Sequence, residues 1–78
     1  MEKYIEFIKE WIVENRNISM SEIDIKANLF EKEYLDSLSV FGMIMDLEDS
    51  FDLKFEPEEL MAKNAATIQG LAEIADSK

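Results

Sequence analysis

From Glu2 to about Asn15, Tyr4, Ile5, Ile8, Trp11 and Ile12 recur at three- and four-residue steps, while Glu2, Glu6, Lys9, Glu10 and Glu14 fill most of the remaining positions. That period lays one apolar stripe along a helix, with Trp11 and Phe7 as its large packing groups. Asn15-Arg16-Asn17 interrupts the pattern. From Asn17 to Asp36 the periodicity is poor, and polar Ser19, Ser21, Asp24 and Asn28 alternate irregularly with Ile18, Ile23, Ile25, Leu29 and Phe30. So long a connection needs anchors of its own, so it reads as a loop pinned to the core by Ile23, Leu29 and Phe30, with a short helical turn near Ser21. A second helix is expected from Asp36 or Ser37 to about Asp52, with Asp36 as its N-cap. Pro57 suits the first position of a short third helix, where Glu58 and Glu59 face the positive end of the dipole. Thr67 is the expected cap of a last helix carrying Ile68, Leu71, Ala72 and Ala75 on one side. No segment alternates as a strand would. The expected fold is an all-α bundle: three main helices, a short third one and a long first loop.

The second helix is two-sided. At about 100° per residue, Val40, Ile44, Leu47 and Phe51 form a core stripe. Leu38, Gly42, Met45 and Asp49 lie nearly opposite, flanked by Asp36, Asp46 and Asp52. An apolar pair inside an acidic rim suits a protein partner. Single exposed apolar residues are also ordinary, and Leu38 could fold back on the loop. Gly42 weakens a helix by about 1 kcal/mol relative to Ala; close approach by a partner or ligand is one reason to have it there.

Length and charge narrow the chemistry. The 78 residues make one domain, 1–78. Eighteen acids against eight bases give a formal net charge of −10, which opposes nucleic acid and anionic membrane surfaces and favours basic patches on other proteins. The same acids also serve solubility. No stretch reads as a leader or a membrane span, so a cytoplasmic location, without stable membrane insertion and as a monomer, is expected. There is no His and no Cys. A Ser–His pair, a Cys nucleophile and imidazole or thiolate metal sites are therefore excluded. Asp46, Glu48, Asp49 and Asp52 lack the alternating acids, central Gly and closing Glu of a calcium loop. No metal site and no catalytic residue are expected.

Leu35-Asp36-Ser37-Leu38 resembles the Asp-Ser-Leu signature of acyl carrier proteins and related carrier domains. Met43-Ile44-Met45-Asp46-Leu47-Glu48-Asp49-Ser50-Phe51 is similar to the family's recognition helix, Phe55 to Leu60 to the start of its third helix, and Thr67-Ile68 to that of its fourth. The resemblance spans essentially the whole chain. It implies a four-helix carrier bundle and a non-catalytic role, with 4′-phosphopantetheine covalently attached to Ser37 by a separate phosphopantetheinyl transferase and cargo held as a thioester on its thiol. It also implies that Asp36, Leu38, Met45, Asp46, Glu48 and Asp49 meet basic patches on loading and synthase enzymes. The cargo would be an acyl group of fatty-acid, polyketide-like or specialised synthesis, or D-alanine for a cell-wall polymer. Many fatty-acid carriers have acids where this chain has Ser39 and Gly42, and a Gly where it has Leu35, so Tyr34-Leu35-Asp36-Ser37 looks closer to D-alanyl or stand-alone specialised carriers. An unmodified acidic adaptor is the alternative of another class.

Overall fold

The computed structural model describes residues 1–32 and 34–78. Helix α1 spans Glu2–Arg16, α2 Ser37–Phe51, α3 Pro57–Leu60 and α4 Ile68–Asp76. Short 3-10 turns occupy Met20–Glu22 and Lys63–Ala66. No strand occurs among the described residues, where a bridge pairs Asn28 with Thr67. The four-helix all-α architecture is the expected one; the second 3-10 turn, without an apolar period of its own, was not legible in the pattern.

Each helix starts and stops for a local reason. α1 ends because Asn17 turns left-handed, with φ at 55° and its N–H donating to the Val13 carbonyl, a conformation Asn tolerates better than most residues. α2 ends the same way at Asp52, with φ at 53°. α3 opens on Pro57 inside a capping box in which the Glu56 N–H donates to Glu59 Oε1 at 2.7 Å. Thr67 caps α4, its Oγ1 accepting from the Gly70 N–H at 2.9 Å.

α1 packs against both α2 and α4. Their apolar faces form the core: Tyr4, Ile8 and Ile12 from α1, Val40, Met43, Ile44 and Leu47 from α2, and Ile68, Leu71, Ala72 and Ala75 from α4. Fully burying an aliphatic side chain of this size contributes about 1.5–3 kcal/mol. Met43 belongs to the core although it lies off the predicted stripe, while Phe51, on that stripe, is half-buried. Its ring meets Tyr4 and Phe7 edge-on, with centroids at 5.0 and 5.5 Å. Ile5, Phe7 and Trp11 are likewise half-buried at the core margin.

The long connection is tied down largely as predicted. Ile23 and Leu29 are buried, as are Tyr34 and Leu35. The Leu29 N–H donates to the Ala66 carbonyl at 2.8 Å and the Gln69 N–H to the Ile25 carbonyl at 3.0 Å, which fastens the loop to the start of α4. The Tyr34 hydroxyl accepts from the Asp24 N–H at 3.1 Å and donates to the Glu22 carbonyl at 3.2 Å. Phe30 departs from expectation: it is 43% exposed. Asn28 Oδ1 accepts from the Phe30 and Glu31 N–H groups, and this local turn aims the ring outward instead of into the core.

Candidate functional site

The site is the head of α2. Asp36 is extended, with ψ at 175°, and its Oδ1 accepts the Ser39 N–H at 2.8 Å. Ser37 is therefore the first residue of the helix and is exposed; capping is performed by its neighbour. The Asp36 carboxyl is held below its ordinary value, first by the hydrogen bonds from Ser39 and further by the charge of Arg16. The sign follows from linkage: a lowered folded pKa stabilises the fold above the ordinary carboxylate range, and this contribution fades as pH falls through the lowered value. Asp36→Ala should accordingly lower the melting temperature near neutrality, and the gap from the unsubstituted chain should close in melts taken well below pH 3.8. A gap that stays constant with pH would assign the loss to something other than the ionised cap.

α2 has three flanks. On its outer ridge Leu38 and Met45 are 82% and 66% exposed, with Asp49 exposed beside them, so the predicted apolar pair does face outward. The flank toward α1 meets Trp11. Trp11 Nε1 donates to Asp46 Oδ2 at 2.7 Å, and a Cβ placed on Gly42 would lie 3.8 Å from the Trp11 ring. Gly42 thus lies beside the indole of this chain's own first helix. Asp46, though exposed, has an intramolecular donor. Glu48 turns to the other side, where its Oε2 accepts the Phe55 N–H at 2.8 Å and secures the loop into α3. Asp36, Asp46 and Glu48 each accept a hydrogen bond within the fold, and Asp36, Asp46 and Asp49 are exposed on the helix with Leu38 and Met45.

The third flank faces α3 across an open apolar cavity of about 540 Å3, lined by Phe30, Ser37, Val40, Phe41, Ile44, Phe55, Pro57, Leu60, Met61, Ala62, Ala65 and Ala66. Its size lies within the roughly 300–1,000 Å3 usual for small-molecule sites, and Ser37 is the one hydroxyl on its wall. Phe41, one turn after Ser37 on the same side of α2, is 58% exposed at this wall. Sequence reasoning missed it, although the four-residue step from Ser37 was a usable signal. Phe30, Leu60 and Met61 come from other segments, and no local pattern announces them. Ser37 thus presents an exposed hydroxyl at a helix head, beside an apolar cavity.

Comparison with known proteins agrees with this geometry. A family described as "Phosphopantetheine attachment site" matches residues 6–75. The chain is similar to the acyl carrier protein of an Exiguobacterium species, at 32% identity over 71 residues covering 91% of this chain and 87% of that one. It is also similar to the acyl carrier protein of Wolinella succinogenes, at 34% over 61 residues and 78% of each chain, and to that of Streptococcus thermophilus, at 37% over 54 residues, 69% of this chain and 72% of the other. No helix among the described residues is long and apolar enough to cross a membrane. A helical bundle with an exposed serine at the head of its second helix, matched by that family over most of its length, belongs to the acyl carrier proteins, carriers with a covalently attached 4′-phosphopantetheine.

Proposed function

We propose that residues 1–78 form one carrier domain in which the Ser37 hydroxyl receives 4′-phosphopantetheine from a phosphopantetheinyl transferase, and that its cargo is an acyl group rather than an amino acid. When bound, the arm supplies a thiol that holds cargo as a thioester. The chain's own residues do the rest. Asp36 caps α2 and leaves the Ser37 hydroxyl exposed, Val40, Ile44, Phe55 and Leu60 offer an apolar wall, and Leu38, Met45 and Asp49 form the exposed ridge for synthase and loading enzymes. The observation that carries the acyl reading is the apolar cavity beginning at Ser37. An alkyl chain is stabilised there by leaving water. A charged alanyl ammonium would lose hydration on that wall without a partner in return.

Tethering supplies the test, because an attached chain meets the cavity at an effective concentration on the order of millimolar, and a group that binds only the folded state raises its stability. The holo-protein should therefore melt higher when loaded with octanoyl than when unloaded or loaded with alanyl. Equal melting of the octanoyl and unloaded forms would remove the support for acyl cargo. A rise confined to the alanyl form would favour the aminoacyl carrier.

A further inference from the structure

Ser37 stands where two hollows meet. The apolar cavity opens on one side of it; on the other, a hollow of about 370 Å3 is lined by Arg16, Phe30, Leu35, Asp36 and Ser37. Phe30 borders both. Arg16 is the only arginine in the sequence. It is the last residue of α1, the left-handed turn at Asn17 ends the helix directly after it, and it lines the hollow together with Asp36 and Ser37. Its charge is felt across the hollow by Asp36. Arg16 already has interactions within the fold, yet a guanidinium carries five N–H donors and can serve a further anion.

A phosphodiester on Ser37 Oγ would bring one negative charge next to the Asp36 carboxylate, in a chain of net charge −10. The first turn of α2 is already partly committed, since the Ser39 N–H donates to Asp36. A fixed cation beside the diester offsets that repulsion, and two non-bridging oxygens match the planar guanidinium fork better than a point-charge ammonium. We propose, on the basis of attachment at Ser37, that Arg16 is a positioning residue that holds the arm's phosphodiester in the polar hollow, so that the pantetheine portion leaves past Phe30 toward the apolar cavity. Arg16 takes no part in group transfer. It offsets the repulsion from Asp36 and divides the site into an anion-holding half and an apolar half.

The single arginine makes the test direct. Nitrogen-15-labelled protein is compared before and after incubation with coenzyme A and a phosphopantetheinyl transferase, with intact mass reporting the extent of modification. The Arg16 Nε–Hε signal should shift on modification, and it should stay in place when Ser37→Ala protein is treated identically. In modified Arg16→Gln protein, the phosphorus-31 resonance should move toward that of a phosphopantetheinyl-serine peptide, with Arg16→Lys restoring part of the difference. Either signal unmoved in fully modified protein would overturn the proposal. If Arg16→Gln resists modification, the comparison of unmodified and modified wild-type protein decides alone. Absence of any mass gain on the wild-type chain, or a gain that persists in Ser37→Ala, would instead overturn attachment at Ser37 itself.

Discussion

Ser37→Ala is expected to fold normally and to gain no mass when incubated with coenzyme A and a broad-specificity phosphopantetheinyl transferase, whereas the unsubstituted chain gains one phosphopantetheine. On the proposed attachment the loss is complete, because the substitution removes the oxygen that would form the new bond. The fold should be nearly indifferent to it. Asp36 caps α2 by accepting the Ser39 N–H, Ser37 is exposed, and Ala is the best helix former at such a position. A stability change within about 0.5 kcal/mol is expected, as for exposed positions away from caps and core. Ser39→Ala and Ser50→Ala, on the same helix, should still be modified. Modification of the Ser37→Ala chain would remove the central claim; a large fall in its melting temperature would mean that Ser37 has a structural duty absent from the hydrogen bonds described above.

The second large effect falls on a glycine remote from the site. Gly70→Ala should lose at least about 3 kcal/mol, the upper part of the usual range for overpacking. A Cβ at Gly70 would fall inside the van der Waals envelope of the Asn64 carbonyl and come within 2.7 Å of Asn64 Cβ. The carbonyl is not at liberty to retreat. It accepts from both the Thr67 N–H, at 3.2 Å, and the Thr67 hydroxyl, at 3.1 Å, and the same hydroxyl accepts the Gly70 N–H. One methyl group therefore strikes the turn that carries the cap of α4. For a domain of this size such a loss lowers the melting midpoint by more than about 12 °C, measured by thermal or denaturant unfolding. Gly42→Ala is the matched control. Its Cβ would make ordinary contact with Trp11 at 3.8 Å, and removing Gly from a helix interior is worth up to about 1 kcal/mol. If both variants were equally destabilised, the account of Gly70 as a packing requirement would fail.

These two glycines illustrate what a linear pattern can and cannot carry. Each is isolated in the sequence, and each sits within a helical period. Only tertiary structure shows that Gly42 lies beside an indole from α1 while Gly70 admits the backbone of the preceding turn. The same holds for Phe30. Its apolar character suggested an anchor, but the turn built on Asn28 points it outward onto the rim of the cavity. Asp46 and Glu48 add contacts that no local pattern records, since their carboxylates receive hydrogen bonds from Trp11 and from the Phe55 backbone.

What the sequence by itself determined is the four helices and the head of α2. Three-to-four-residue periodicity, Asp36, Pro57 and Thr67 each act through neighbours within one or two helical turns, so their consequences follow without knowledge of the rest of the chain. Ser37 at the first position of α2, and the outward Leu38 and Met45, came from the same short-range logic. Tertiary structure decided the surroundings of that serine: an apolar cavity assembled from the loop, α2, α3 and the turn before α4, and a polar hollow closed by Arg16 from the end of α1. Both are formed by residues far apart in sequence. Their meeting depends on how the helices pack, and no local period records it.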